Sequence, residues 1–125
     1  MNNIDYKTAR QFLEKKEQIR LQLLDKRYNR ACNDFEKIIR FIIEKYNPER
    51  IYQWGSLLHR ENFSEFSDID IALEGITSAE QLFEMYGAIM DMTDFPIDLV
   101  QIEKIVPEFA DLIKAKGKII YERNR

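Results

Sequence analysis

From Tyr28 onward the apolar residues fall at Tyr28, Ala31, Cys32, Phe35, Ile38, Ile39, Ile42 and Tyr46. Steps of three and four describe one face of a helix. Glu36, Lys37, Arg40 and Glu44 fill the other face, and Asn47-Pro48 ends the run, because proline lacks a donor and clashes with the preceding turn. No proline or glycine interrupts the chain from Asp5 to Tyr46. The earlier half, Lys7 to Arg27, carries a weaker stripe of Ala9, Phe12, Leu13, Ile19, Leu23 and Leu24 among many charges. A helix continuous from Lys7 would be roughly 60 Å long at ~1.5 Å per residue. That exceeds the width of a domain this small, so the first half is expected either to fold back or to project. A projecting stripe needs a partner to cover it.

The remaining pattern alternates in short units. Arg50 to Trp54 predicts a strand, followed by a Gly-Ser turn and a short helix near Leu57 to Glu61. Ile69 to Leu73 and Ile97 to Ile102 predict two more strands. Ser78 with Gln81 is a capping-box pattern that opens a helix to about Met92. Pro107 suits the first position of a helix and Gly117 the position just past its end. Lys118 to Glu122 predicts a closing strand. The order is a long helix and then alternating strands and helices, which makes an α/β (α+β) domain with a small sheet of about four strands covered by helices.

Composition narrows the picture. A chain of 125 residues, 45% apolar and 33% charged, is one ordinary soluble domain. The net charge of -3 argues against general nucleic-acid binding, which needs a basic face. Cys32 is the only cysteine, so neither an intrachain disulfide nor a thiolate zinc site is expected. No signal pattern and no membrane-spanning run is present, and a cytoplasmic protein is the expectation.

Three features carry chemistry. Gly55-Ser56 directly follows the first strand, Asp68-Ile69-Asp70 opens the second, and Asp98 lies in the third between Ile97 and Leu99. Side chains two apart on a strand share a face, so Asp68 and Asp70 project together while Ile69 turns into the core. If the strand of Asp98 lies beside Asp70, three carboxylates meet at one spot. Their repulsion calls for a cation, and hard oxygen ligands suit Mg²⁺ that also takes substrate phosphates. A glycine after a strand lets a phosphate approach the backbone, and a following helix N-terminus offers free amides. Ser56 adds a hydroxyl and can cap that helix. The Asp-x-Asp alone is weak evidence, since nine aspartates in 125 residues give about one such pair by chance. The joint placement carries the weight.

Other residues have plainer readings. His59 and Arg60 are expected on a helix surface rather than on phosphates, and Trp54 in the core rather than under a base. Glu74 lies too far along its strand to bind the metal. Lys114, Lys116 and Lys118 are expected on a solvated face, and Met85, Met90 and Met92 in helix packing.

Trp54-Gly55-Ser56, eleven residues, and then Asp68-Ile69-Asp70-Ile71 resembles the signature of the DNA polymerase beta-like nucleotidyltransferase superfamily. The small size resembles its minimal nucleotidyltransferase (MNT) branch. The resemblance spans about residues 35 to 122, which divides the chain into a helical extension, 1–34, and a minimal nucleotidyltransferase domain, 35–125. It implies a mixed sheet of the nucleotidyltransferase fold. It assigns Gly55 and Ser56 to the phosphates of a nucleoside triphosphate and Asp68 and Asp70 to Mg²⁺. Asp98 is assigned to metal and to activation of the acceptor hydroxyl. The implied reaction transfers AMP from ATP to a hydroxyl, with two Mg²⁺ ions ~3.5–4 Å apart. Many relatives have a second glycine after the Gly-Ser, with arginines around it; here the segment is Leu57-Leu58-His59-Arg60-Glu61-Asn62.

In the MNT branch the partner is often a HEPN-domain ribonuclease toxin, which implies an antitoxin that adenylylates the toxin or simply binds it. The alternative function is therefore a non-catalytic binding antitoxin that keeps the fold. The stripe of Phe12, Leu13, Leu23 and Leu24 would suit helix-on-helix contact with such a toxin, or with a second copy of the chain as a homo-oligomer through the N-terminal helix.

Overall fold

The computed structural model describes residues 5–124. Helix α1 runs unbroken over Tyr6–Tyr46. Asp5 caps it, its carboxylate accepting from the backbone N–H of Lys7 and Thr8 and from the Thr8 hydroxyl. At the other end Asn47 takes a left-handed conformation, φ 43°, and its N–H donates to the carbonyls of Ile42 and Ile43. Pro48 follows, so the chain leaves the helix there.

Four strands follow: β1 (Arg50–Trp54), β2 (Ile69–Glu74), β3 (Ile97–Gln101) and β4 (Lys118–Glu122). Two helices are interleaved, α2 (Ala79–Met90) and α3 (Pro107–Lys116). The sheet order is β3-β2-β1-β4. β1 is antiparallel to both β2 and β4, whereas β2 and β3 are parallel, with α2 as their crossover. This is the mixed sheet of four strands that was expected.

Strand alternation sends side chains to two cores. Ile51, Ile69, Ile71 and Leu73 pack against Phe35, Ile38 and Ile42 of α1 and Met85 and Ile89 of α2. On the opposite face Tyr52 and Ala72 pack against Ile102 and against Ala110 and Ile113 of α3. Five of the sequence expectations hold closely: the bounds of β1, α3 and β4, the cap at Ser78, and the end of α1 at Asn47-Pro48.

Two expectations change, and Gly117 stands just past α3 as expected but for a different reason. The segment after Gly55 is two single 3₁₀ turns, Ser56–Leu58 and Arg60–Asn62, rather than one helix. Gly117 is extended, φ -77°, and is needed for space: a Cβ there would lie 2.5 Å from the Ile113 carbonyl and 2.9 Å from that of Gln53. Met90 is exposed, unlike the buried Met85. The open question about α1 is also settled. Its first buried residue is Ala31, and the half before Leu24 projects with Phe12, Leu13, Ile19 and Leu23 exposed.

Candidate active site

The parallel register of β2 and β3 sets Asp70 directly beside Asp98. Asp68 lies just before β2, two residues from Asp70 and thus on its side of the sheet. Ile69 between them is fully buried against α1 and α2, so the carboxylates look out of the opposite face. That is the face α3 covers at Ala72 and Tyr52; the carboxylates lie one step nearer the start of β2 and β3. A hydrogen-bonded turn holds Asp68 in place: Ser64 N–H donates to Ser67 Oγ at 2.8 Å and Ser67 N–H to the Ser64 carbonyl at 3.1 Å.

Gly55 meets this pair from β1, whose Trp54 is the cross-strand partner of Asp70. Its backbone, φ 82° and ψ -165°, lies in a region that only glycine adopts readily. A Cβ there would fall 2.1 Å from Oδ2 of Asp70. Glycine is thus required twice, for the turn and for the room Asp70 occupies. Ser56 opens the first 3₁₀ turn but makes no capping hydrogen bond. The turn's own bonds start at Leu58 N–H to the Gly55 carbonyl, so the amides of Ser56 and Leu57 precede them. A three-residue turn has little dipole, and any phosphate contact here comes from these amides and the Ser56 hydroxyl.

Electrostatics mark Asp70 as the strained member. Burial, then repulsion by Asp98 and by Asp68, pushes its pKa up from 3.8 to about 6, and no base or donor offsets this. The sequence expectation of three carboxylates meeting at one spot is only partly met. Asp70 and Asp98 are side by side and Asp68 is near enough to repel Asp70. Among the described residues, however, no three acidic, His or Cys side chains are gathered closely enough to hold a metal alone. The donor set still fits Mg²⁺, because that ion keeps waters and fills its octahedron with substrate phosphates. Gly55 leaves room for the Asp70 carboxylate, which a side chain at that position would displace.

The neighbouring residues sort themselves. Arg60 is turned toward α1, where it pairs with Asp25 and lies 5.1 Å from the Tyr28 ring centroid. His59 is exposed, 3.9 Å from Glu61. Glu74 accepts from Arg50 at 3.1 Å and from Tyr52 at 3.2 Å, a structural role away from the carboxylates. Trp54 packs edge-on to Phe109, centroids 5.3 Å apart, yet its indole N–H is buried with no partner. These rings wall a cavity of about 240 Å³ that also touches Gly55, His59 and Lys116. Sequence reading missed this cavity; an aromatic at the strand end before the glycine was its only local signal. Lys116 is exposed at its rim.

Comparisons with known proteins bear on the family and the fold. The family model described as Polymerase beta, Nucleotidyltransferase matches residues 36–125. No curated protein sequence matches the chain. Among solved structures, the chain is similar in fold to a chain of the toxin-antitoxin MntA-HepT, with 20% identity, TM-score 0.56, and coverage of 72% of this chain and 71% of that one. A chain of the tri-AMPylated Shewanella oneidensis HEPN toxin in complex with MNT antitoxin gives 20% identity, TM-score 0.56 and coverage of 74% and 73%. A chain of a toxin-antitoxin with AMP-PNP gives 23% identity, TM-score 0.57 and the same coverage of 74% and 73%.

Proposed function

The chain belongs to the polymerase beta-type nucleotidyltransferase family, and from this premise we propose that it is a Mg²⁺-dependent nucleotidyltransferase that transfers AMP from ATP. The acceptor is a hydroxyl on a partner protein, a HEPN-type toxin, and the chain acts as its antitoxin in the cytoplasm. The observation that carries the reading is Asp70 set in register with Asp98 while Gly55 lies against the Asp70 carboxylate. The partner rests on the fold neighbours, whose structures are toxin-antitoxin complexes. Residues 35–125 form the nucleotidyltransferase in this reading, and 1–34 the extension.

Asp68, Asp70 and Asp98 would hold the metal, Asp70 and Asp98 from paired positions on β2 and β3. Mg²⁺, when bound, neutralises phosphate charge and lowers the pKa of the acceptor hydroxyl. Gly55 lets the triphosphate approach the backbone, and the Ser56 hydroxyl and amide donate to it. Asp98 accepts the acceptor's proton. The new bond joins the hydroxyl oxygen to the α-phosphorus, the bond from that phosphorus to the bridging oxygen breaks, and pyrophosphate leaves.

A second reading is an antitoxin that works by binding alone. What favours it is the loop, where Arg60 is engaged with Asp25 and Tyr28 rather than with the carboxylates. Labelled ATP, Mg²⁺ and the product of the neighbouring gene separate the two. Transfer of label to that product, lost in Asp68→Asn/Asp70→Asn, supports catalysis. If neutralisation survives the double substitution and no label moves, the enzyme reading fails.

A further inference from the structure

Two apolar stripes remain uncovered, and their borders carry opposite charge. On the projecting half of α1, Phe12, Ile19 and Leu23 share one line and are 66%, 48% and 61% exposed. The positions flanking that line are basic, Lys15, Lys16 and Lys26, and none of these lysines has an ion-pair partner among the described residues. The acids Glu14, Glu17 and Asp25 fall on the far side of the helix. Residues 5–27 hold seven Lys and Arg against four Asp and Glu, while the rest of the chain holds twelve against eighteen.

The second stripe is on α2. Phe83 and Met90 are 75% and 59% exposed, and Gly87 lies between them on the same line. One flank is acidic, with Glu80 in the first turn and Asp91 just past the helix end, again without ion-pair partners among the described residues. Gly87 is unusual because nothing lies within 4 Å of the place a Cβ would occupy. A glycine in a helix interior is destabilising, and this fold has no need of it. A glycine on an exposed apolar stripe allows another helix to approach the backbone closely.

We propose that α1 of one copy seats its Phe12–Ile19–Leu23 stripe on the Phe83–Gly87–Met90 stripe of a second copy, reciprocally, in a twofold dimer. Pairing of arm with arm would set lysine against lysine, whereas arm on α2 sets lysine against Glu80 and Asp91. The placement of α2 permits the exchange. Glu84 in its first half meets Lys45 and Tyr46, and Thr93 past its end meets Asp34. Thus α2 runs antiparallel to the second half of α1, and its C-terminal end faces the projecting arm. A twofold axis there lays each ~28 Å arm along the other copy's α2. This inference is independent of the catalytic reading.

The test is the mass of the full chain in solution by light scattering and sedimentation. Wild type is expected as a dimer whose dissociation constant rises about tenfold between about 0.1 M and about 1 M salt, where the Debye length falls from ~10 Å to ~3 Å. Ile19→Glu/Leu23→Glu and Phe83→Glu/Met90→Glu are each expected as folded monomers, since all four positions are exposed. An equimolar mixture of the two variants regains association, because one arm-on-α2 contact is intact. Gly87→Leu weakens association while raising the monomer's melting temperature. A monomeric wild type, a dimer that survives the arm substitutions, or a mixture that fails to associate overturns the proposal. So does loss of binding to a partner protein in the arm variant with self-association unchanged.

Discussion

Replacing Asp70 by Asn is expected to make the protein more stable and its site useless. In the folded chain burial and the charges of Asp98 and Asp68 raise the Asp70 pKa from 3.8 to about 6. At 1.36 kcal/mol per unit this would be about 3 kcal/mol against folding at neutral pH. Asp70 is only half-buried, and solvent screening reduces the figure to about 1–2 kcal/mol. The sign follows from proton linkage. A carboxyl whose folded pKa is raised binds its proton more tightly when folded, so the stability it contributes is complete below about pH 4 and lost as pH rises through about 6. Asn has the same shape without the charge. Thermal melts in a chelator should therefore show Asp70→Asn about 4–8 °C above wild type at pH 7.5. The gap should close by pH 4, where wild type is itself neutral at this position. Mg²⁺ with ATP should raise the melting temperature of wild type and leave the variant unmoved. A variant that melts at or below wild type at pH 7.5, or a gap unchanged at pH 4, would refute the reasoning.

Gly55→Ala combines a backbone conformation that disfavours side chains with a methyl against the Asp70 carboxylate. It should cost about 1–3 kcal/mol in denaturant unfolding and abolish nucleotide-induced stabilisation. Ile42→Ala empties a fully buried position between α1 and the sheet, and should cost about 2–5 kcal/mol in urea titration while leaving metal binding intact in the folded fraction. Glu74→Gln removes the charge that Arg50 and Tyr52 share, and should lower stability by about 1 kcal/mol without affecting label transfer.

Much of the fold was legible because its signals are local. The three-and-four spacing of Ala31, Phe35, Ile38 and Ile42, the Ser78 cap and the Asn47-Pro48 stop each act within a few residues. Strand period alone put Asp68 and Asp70 on one face. The neighbouring position of Asp98 was an inference from topology, and the parallel register supplies it. What sequence did not reveal depends on distant groups. Arg60 is exposed on a short helical turn, as expected, but its engagement by Asp25 and Tyr28 of α1 had no local signal. The turns after Gly55 read as a helix because Leu57 and Leu58 are good helix formers, yet the chain must bend twice there to bring Phe63 against Tyr28. The requirement for Gly55 was read as freedom near a phosphate; its sharper cause is the Asp70 carboxylate across the strand.

The central claim is that these carboxylates perform adenylyl transfer rather than survive as relics of the fold. Intact-mass measurement of the candidate partner after incubation with the chain, ATP and Mg²⁺ tests it most directly. The account predicts a gain of whole AMP units with wild type and none with Asp70→Asn, although that variant is the better-folded protein. A neutralised partner of unchanged mass, or the same gain with Asp70→Asn, would contradict it.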